Sequence, residues 1–223
     1  MNNTLFIALL ASPVELEQGL WGLIVKGGWL MLPLLLLSVA TVYIACERFW
    51  VIRKSSLDEN AFAREIRELL LAGKTNEAAR RCVERNTLLA RVLHKGVSRV
   101  DVSPGETRRA MEERANIEIA RLENGMSLLA TCAGTAPMIG FLGTVIGMVQ
   151  AFYDMAVAGN NIDIGLLARG IYTALITTVA GLIVGIIGNF AFNHLVAMTD
   201  RRVHWLESII EEFEEISRTA REH

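Results

Sequence analysis

The sequence predicts an all-α membrane protein, with three transmembrane helices, two of them continuing as long cytoplasmic helices, and a small helical cytoplasmic region. Two observations carry this. The chain of 223 residues is 52% hydrophobic with a mean hydropathy of +0.36, high for a soluble domain. Its charge is also unevenly placed: residues 27–46, 126–153 and 170–193 contain no Asp, Glu, Lys or Arg, whereas 47–123 is dense in both signs. Each charge-free run reaches the roughly 20 residues that a helix needs to cross a bilayer.

Residues 1–26 form an N-terminal segment. Leu5 to Ala11 is apolar and Ala11-Ser12 is small, as at a signal cleavage site, but no Lys or Arg precedes it. From Val14 to Val25, Leu16, Leu20, Trp21 and Ile24 alternate with Glu15, Glu17 and Gln18, the pattern of an amphipathic helix lying in the outer interface. The first span occupies 27–52, with Pro33 near its start and Glu47-Arg48-Phe49-Trp50 at its end. Arg53-Lys54 beyond it, against Glu15 and Glu17 before it, orients the N-terminus to the periplasm.

Residues 53–125 are the cytoplasmic helical region. Ala61, Ile66, Leu69 and Leu70 define one helix that Gly73 ends, a second starts near Thr75 and stops at Asn86, and a third runs from Thr87 to Val97. Ser103-Pro104-Gly105-Glu106 is a capping box with proline at the first helical position. Nothing after it stops the chain firmly before Gly159, so the expectation is one helix of about 50 residues, its charged first half cytoplasmic and its second half crossing the membrane at 126–157. Gly125 reads as a packing glycine within that helix, with a swivel as the alternative. The loop 158–164 is periplasmic and acidic through Asp163, with Asp154 just before it and Arg169 just after. The third span, 165–198, returns to Arg201-Arg202, and 199–223 is a glutamate-rich cytoplasmic C-terminal helix.

Several classes of function are disfavoured. A net charge of −2 offers no basic field for nucleic acid. Cys46, Cys82 and Cys132 are scattered without a C-x-x-C spacing, and His94, His194, His204 and His223 are equally dispersed, so neither a disulfide framework nor a metal site is indicated. No nucleophile stands beside a base, and there is no phosphate loop. The expectation is a protein that is not an enzyme and carries no cofactor.

The informative stretch is Thr131 to Gly147, TCAGTAPMIGFLGTVIG. Ala136, Gly140, Gly143 and Gly147 fall on one side of a helix as a smooth strip that a second helix can approach closely. Pro137 removes a backbone hydrogen bond and kinks the helix, while Thr131, Thr135 and Thr144 supply hydroxyls that compensate freed carbonyls or face a polar path. In the third span Thr173, Thr177, Gly181, Gly185, Asn189 and Asn193 recur every four residues, and Thr178 lies on the same broad side. Such a ridge serves either as helix glue or as pore lining. Thr144 and Thr178 both fall about 13 to 18 Å from the outer surface, counted at 1.5 Å per residue.

The run Ala-Thr-x-x-x-x-Ala-Pro-x-x-Gly-x-x-Gly-Thr-Val-x-Gly-Met at 130–148 resembles the second transmembrane helix of the ExbB/TolQ/MotA proton channel family, ExbB above all and TolQ next. Gly170-Ile-Tyr-Thr-Ala-Leu-Ile-Thr-Thr-Val-Ala-Gly-Leu182 is similar to that family's third span. The resemblance implies a ring-forming oligomer, a homopentamer, in the bacterial inner membrane, scaffolding a proton-driven motor that energises TonB-dependent outer-membrane transport. Its partners would be a single-span ExbD/TolR/MotB-like protein with a membrane aspartate, a TonB-like protein and membrane lipid, with no nucleic acid. It also implies that Thr144 and Thr178 are the pore threonines, with Thr173 and Thr177 on the same pathway. Thr173 departs from the family, which commonly carries glutamate there. The alternatives are a TolQ-like envelope-maintenance subunit, a MotA-like or gliding stator, or a purely structural membrane oligomer. Hydroxyls do not titrate near neutrality and the charge-free runs 27–46, 126–153 and 170–193 hold no carboxylate, so a proton carrier has to come from a partner.

Overall fold

The computed structural model describes residues 27–54, 59–158 and 164–222. Among them are α1 (Met31–Lys54), α2 (Glu59–Leu71), α3 (Thr75–Arg85), α4 (Leu88–Val97), α5 (Pro104–Glu123), α6 (Met126–Ala158) and α7 (Ile164–Glu222), with no strand. Three stretches, Met31–Arg53, Pro104–Ala158 and Leu167–Arg218, are long and apolar enough to cross a membrane. The expected amphipathic helix at 14–25 and the turn at 159–163 lie outside the described residues.

The chain divides into two units. The first joins 27–39 to 132–187 and the second joins 40–131 to 188–222. In the first unit the start of α1 packs Met31 and Leu34 on Ala136 of α6, beside Ile139, Ala180 and Val184. Pro33 is the third residue of α1, where its missing N–H removes one of the donors that no helix can satisfy internally.

In the second unit, local chemistry sets the helix ends. Asn86 takes φ +45 and donates its backbone N–H to Cys82 at 3.2 Å, closing α3. The Thr87 hydroxyl accepts from the Ala90 N–H at 3.3 Å to open α4, and Ser103 accepts from Glu106 at 3.4 Å to open α5. Phe62 and Ile66 of α2, Leu89 and Leu93 of α4, Met111 of α5 and Leu206, Ile210 and Phe213 of α7 share one apolar core. Three ion pairs surround it: Arg67 with Glu212, Arg108 with Glu214 at 3.1 Å and Arg202 with Glu59 at 3.0 Å. A second cluster gathers Ile44 and Ile52 of α1 with Leu122, Met126, Leu129 and Leu195.

One expectation is corrected. The single helix predicted from Ser103 to Gly159 is two, because α5 ends at Glu123 and α6 begins at Met126. Gly125 between them adopts φ +85, a left-handed conformation open to glycine at little cost. The Arg48 side chain of α1 lies beside it, with Nε 3.3 Å from where a Cβ would stand. The third span does run on without a break: α7 is 59 residues long.

Candidate functional site

The charge-free parts of α6 and α7 meet along small residues. A Cβ on Gly140 would stand 2.9 Å from the Thr177 carbonyl oxygen and 3.1 Å from the Thr178 Cα, and one on Gly147 would stand 2.7 Å from the Ala174 Cβ. From the other side, a Cβ on Gly181 would stand 2.6 Å from the Ala136 carbonyl oxygen and one on Gly185 3.0 Å from that of Ala133. Gly143 faces the Thr177 side chain, and Gly185 faces the Pro137 ring. Space requires glycine at these positions: at Gly140 and Gly181 backbone lies where a side chain would go, and at Gly143, Gly147 and Gly185 the side chains of Thr177, Ala174 and Pro137 come closest. The strip Ala136, Gly140, Gly143 and Gly147 is therefore seated against α7 of the same chain.

The hydroxyls follow this packing. Thr178 donates to the Gly140 carbonyl at 2.9 Å, across the two helices. Thr177, 2% exposed, donates to Ala174 at 2.7 Å, with Gly140 a second acceptor at 3.4 Å. Thr144, one turn beyond Gly140, donates to Phe141 at 2.6 Å within its own helix. Thr131 likewise bonds back to Ser127 at 2.9 Å. Neither of these two serves the Ala133 carbonyl that Pro137 leaves without its helical donor; that oxygen lies 3.0 Å from where a Cβ on Gly185 would stand. The structure thus brings Thr177 and Thr178 to Gly140, a turn from Thr144, with half-buried Thr173 one turn before Thr177 on α7.

A hydroxyl has one proton and two lone pairs. Because Thr144 and Thr178 both spend the proton on a backbone carbonyl, they present lone pairs to anything that approaches. Each can accept a hydrogen bond from water or from a neutral carboxylic acid. To donate to a carboxylate, either would have to give up its bond to the backbone.

Two members of this contact escaped the sequence reading. Ala174, 2% exposed, fits against Gly147, and Ala151, 3% exposed, fits against Gly170. The available signal was spacing, since Ala174 precedes Thr177 by three residues and Ala151 follows Gly147 by four, each continuing a strip already recognised.

The titratable groups with perturbed behaviour lie in the second unit, outside the spans. Burial pushes the Cys82 thiol up to about 12, with Glu65 adding to the rise, which leaves it protonated and inert. Burial also raises Glu59, outweighing the opposing pull of Arg202. For Glu118, burial alone raises the carboxyl, but the hydrogen bond and charge of Arg91, with the charges of Arg114 and Arg121, hold it below the usual range. Among the described residues no group of three or more His, Cys, Asp or Glu side chains is placed to hold a metal ion.

Comparison with known proteins places this arrangement. The model of the MotA/TolQ/ExbB proton channel family matches residues 84–208, which include α6 and the small-residue part of α7. A putative biopolymer transport protein, ExbB-like 1, of Synechocystis is 32% identical over 219 residues, covering 96% of this chain and 85% of that protein. The Tol-Pal system protein TolQ of Haemophilus influenzae is 43% identical over 90 residues, 40% of this chain and 39% of that one. The biopolymer transport protein ExbB of Xanthomonas campestris is 41% identical over 85 residues, 38% and 33% of the two chains.

Proposed function

This chain belongs to the MotA/TolQ/ExbB proton channel family, and from that premise we propose that it is the ExbB-like scaffold subunit of an inner-membrane motor, closing as a pentameric ring around a single-span ExbD-like partner. The partner's membrane aspartate carries the proton, and the complex passes the energy of the proton gradient to a TonB-like protein for outer-membrane transport. The observation that supports this most is the Thr178 hydroxyl bonded to Gly140 at 2.9 Å, within helices whose segments 126–153 and 170–193 have no charged residue.

The chemistry follows from that bond. With their protons committed, Thr144 and Thr178 accept from a protonated partner aspartic acid or from water beside it. They therefore favour the neutral form of the acid inside the hydrocarbon, where a bare carboxylate is expensive. Protonation from one side lets the aspartate pass the threonines, and ionisation at the other side holds it in water, so direction comes from the gradient. Thr173, in place of the family's usual glutamate, makes this subunit a track without its own carrier. Thr177 keeps the track rigid from its buried position. A TolQ-like role in envelope maintenance is the second reading, favoured by the match to TolQ over 40% of this chain.

Proteoliposomes with and without the partner test the mechanism. Thr144→Val and Thr178→Val keep side-chain shape and remove the hydroxyl, so each should leave the ring assembled and lower partner-dependent proton flux, by roughly tenfold for about 1.4 kcal/mol of lost hydrogen bonding. Thr173→Val should cost less than either, and the partner's Asp→Asn should abolish flux. Full flux in both valine variants would return the threonines to helix packing and leave a structural oligomer as the reading.

A further inference from the structure

Outside the α6–α7 contact, the second unit holds a cavity of about 800 Å³, within the roughly 300–1,000 Å³ typical of small-ligand sites. It is bounded by the last turns of α1, the start of α2 and the stretch of α7 from His194 to Trp205. Arg53, Arg64, Arg201 and Arg202 all line it, against the single carboxylate of Glu59, which leaves a net charge of +3.

The four guanidiniums are not equivalent. Arg202 is neutralised by Glu59 at 3.0 Å, an ion pair kept out of water because Glu59 is only 4% exposed, and its guanidinium lies 5.8 Å from the centre of the Trp205 ring. The other three meet no carboxylate among the described residues. Arg53 lies over the Phe49 ring at 5.8 Å, Arg64 donates to the Asn60 carbonyl at 3.4 Å and Arg201 to that of Ala197 at 3.0 Å. The Arg64 and Arg201 bonds each use only the Nε–H, and stacking on Phe49 uses none of the Arg53 N–H groups, so all three keep donors available. Three cations without a carboxylate partner among the described residues repel one another around one cavity, and an anion placed among them relieves that repulsion.

The position along the helices says which anion. The charge-free run of α1 ends at Cys46, so Phe49 and Arg53 follow one and two turns later; that of α7 ends at Asn193, immediately before His194. Phe49 supplies an aromatic wall at this level and Trp205 one farther along α7, and Trp50, next to Phe49 in sequence, is 76% exposed. Basic and aromatic side chains just past an apolar span belong at the depth of lipid headgroups. A basic cavity at that depth fits a phosphodiester headgroup, held by the guanidiniums with its acyl chains in the adjoining leaflet. An acidic peptide would have to enter the headgroup layer to reach the same donors.

We propose that this cavity is a binding site for the headgroup of an anionic phospholipid, with Arg53, Arg64 and Arg201 on the phosphate and the Glu59–Arg202 pair fixing the cavity floor. The assignment rests on the chain spanning a membrane but not on proton conduction, so it stands or falls separately from the flux measurements. It gives α1, α2 and α7 a shared ligand at the membrane surface.

The test is lipid retention by the purified full-length protein in detergent, read by native mass spectrometry, with phosphatidylglycerol and phosphatidylcholine offered in equal amounts. The expected result is one preferentially held phosphatidylglycerol per chain, with roughly tenfold selectivity or more given the attraction of each basic side chain for anionic lipid. R53Q/R201Q should reduce that selectivity to about twofold while leaving helix content and oligomer mass unchanged. R109Q, a substitution at an exposed arginine away from the cavity, should leave it intact. Equal retention of the two lipids by the unaltered protein overturns the proposal without recourse to any variant. So does undiminished selectivity in R53Q/R201Q. If inorganic phosphate displaces phosphatidylglycerol at similar concentration, the cavity recognises free phosphate and the lipid assignment is wrong.

Discussion

Gly181 of α7 lies so close to Ala136 of α6 that a Cβ added to the glycine would stand 2.6 Å from the alanine's carbonyl oxygen. The obstacle is backbone, which cannot rotate aside as a side chain tip can. Gly181→Ala should therefore force the helices apart and destabilise the chain by about 1–3 kcal/mol, the usual cost of overpacking. Gly143→Leu should do more harm, because its side chain would collide with buried Thr177, and the intact ring should be lost in native mass spectrometry. Gly134→Ala is the control, since nothing lies within 4 Å of its Cβ position. Thermal unfolding in detergent reads all three, and Gly181→Ala melting with the unaltered chain would place the α6–α7 contact elsewhere.

Glu118 is the keystone of the α4–α5 contact. Its carboxylate is 1% exposed and meets Arg91 of α4 at 2.6 Å, Arg114 at 2.6 Å and Arg121 at 3.1 Å. Burial opposes ionisation there, but Arg91 and its two neighbours win, so the folded-state carboxyl titrates below its ordinary range. The sign of the pH dependence follows: the contribution is complete above the unfolded carboxylate value of about 4.3 and is lost as pH falls through the lower folded value. At pH 7, Glu118→Ala should cost about 2–4 kcal/mol, less than a fully buried pair because the arginines it strands can reach water. Below about pH 4 the melting curves of the two proteins should draw together. A constant difference from pH 7 to pH 3 would show that Glu118 acts through packing and not through charge.

What was legible in the sequence was whatever local chemistry decides. Asn86 and Thr87 end one helix and open the next through their own dihedrals and hydroxyl, and Ser103 caps α5 where the motif placed it. The apolar runs and glycine strips were equally readable, because periodicity alone carries them. The break at Gly125 was legible only as an alternative, a swivel against a packing glycine, since a glycine inside a helical pattern is equally compatible with an unbroken helix. What accompanies the left-handed conformation is Arg48, which packs beside Gly125 from 77 positions earlier in the chain. The difference between Thr177 and Thr178 was hidden for the same reason. Adjacent on α7, they are separated by the approach of α6, which buries the first and leaves the second half-buried. Glu118 likewise reads as one more charge on a solvated face until Arg91, 27 residues away, closes over it.

The direction in which protons would flow depends on which way the chain crosses the membrane, and labelling can fix that. Arg53-Lys54 and Arg201-Arg202 stand at one end of the spans, while Asp154 and Asp163 flank the connection at the other. The prediction from the positive-inside rule is that α2 to α5 and the end of α7 lie in the cytoplasm. Val157, 70% exposed near the end of α6, and exposed Asn76 on α3 are suitable reporters. Cys82 and Cys132 are buried, but Cys46 is exposed and is first replaced by serine. In that background Val157→Cys should react with an impermeant maleimide added to spheroplasts, and Asn76→Cys should react only once the membrane is permeabilised. The opposite pattern would invert the orientation and move the arginine-lined cavity to the outer leaflet. Its lipid preference would survive that result; the proposed direction of proton entry would not.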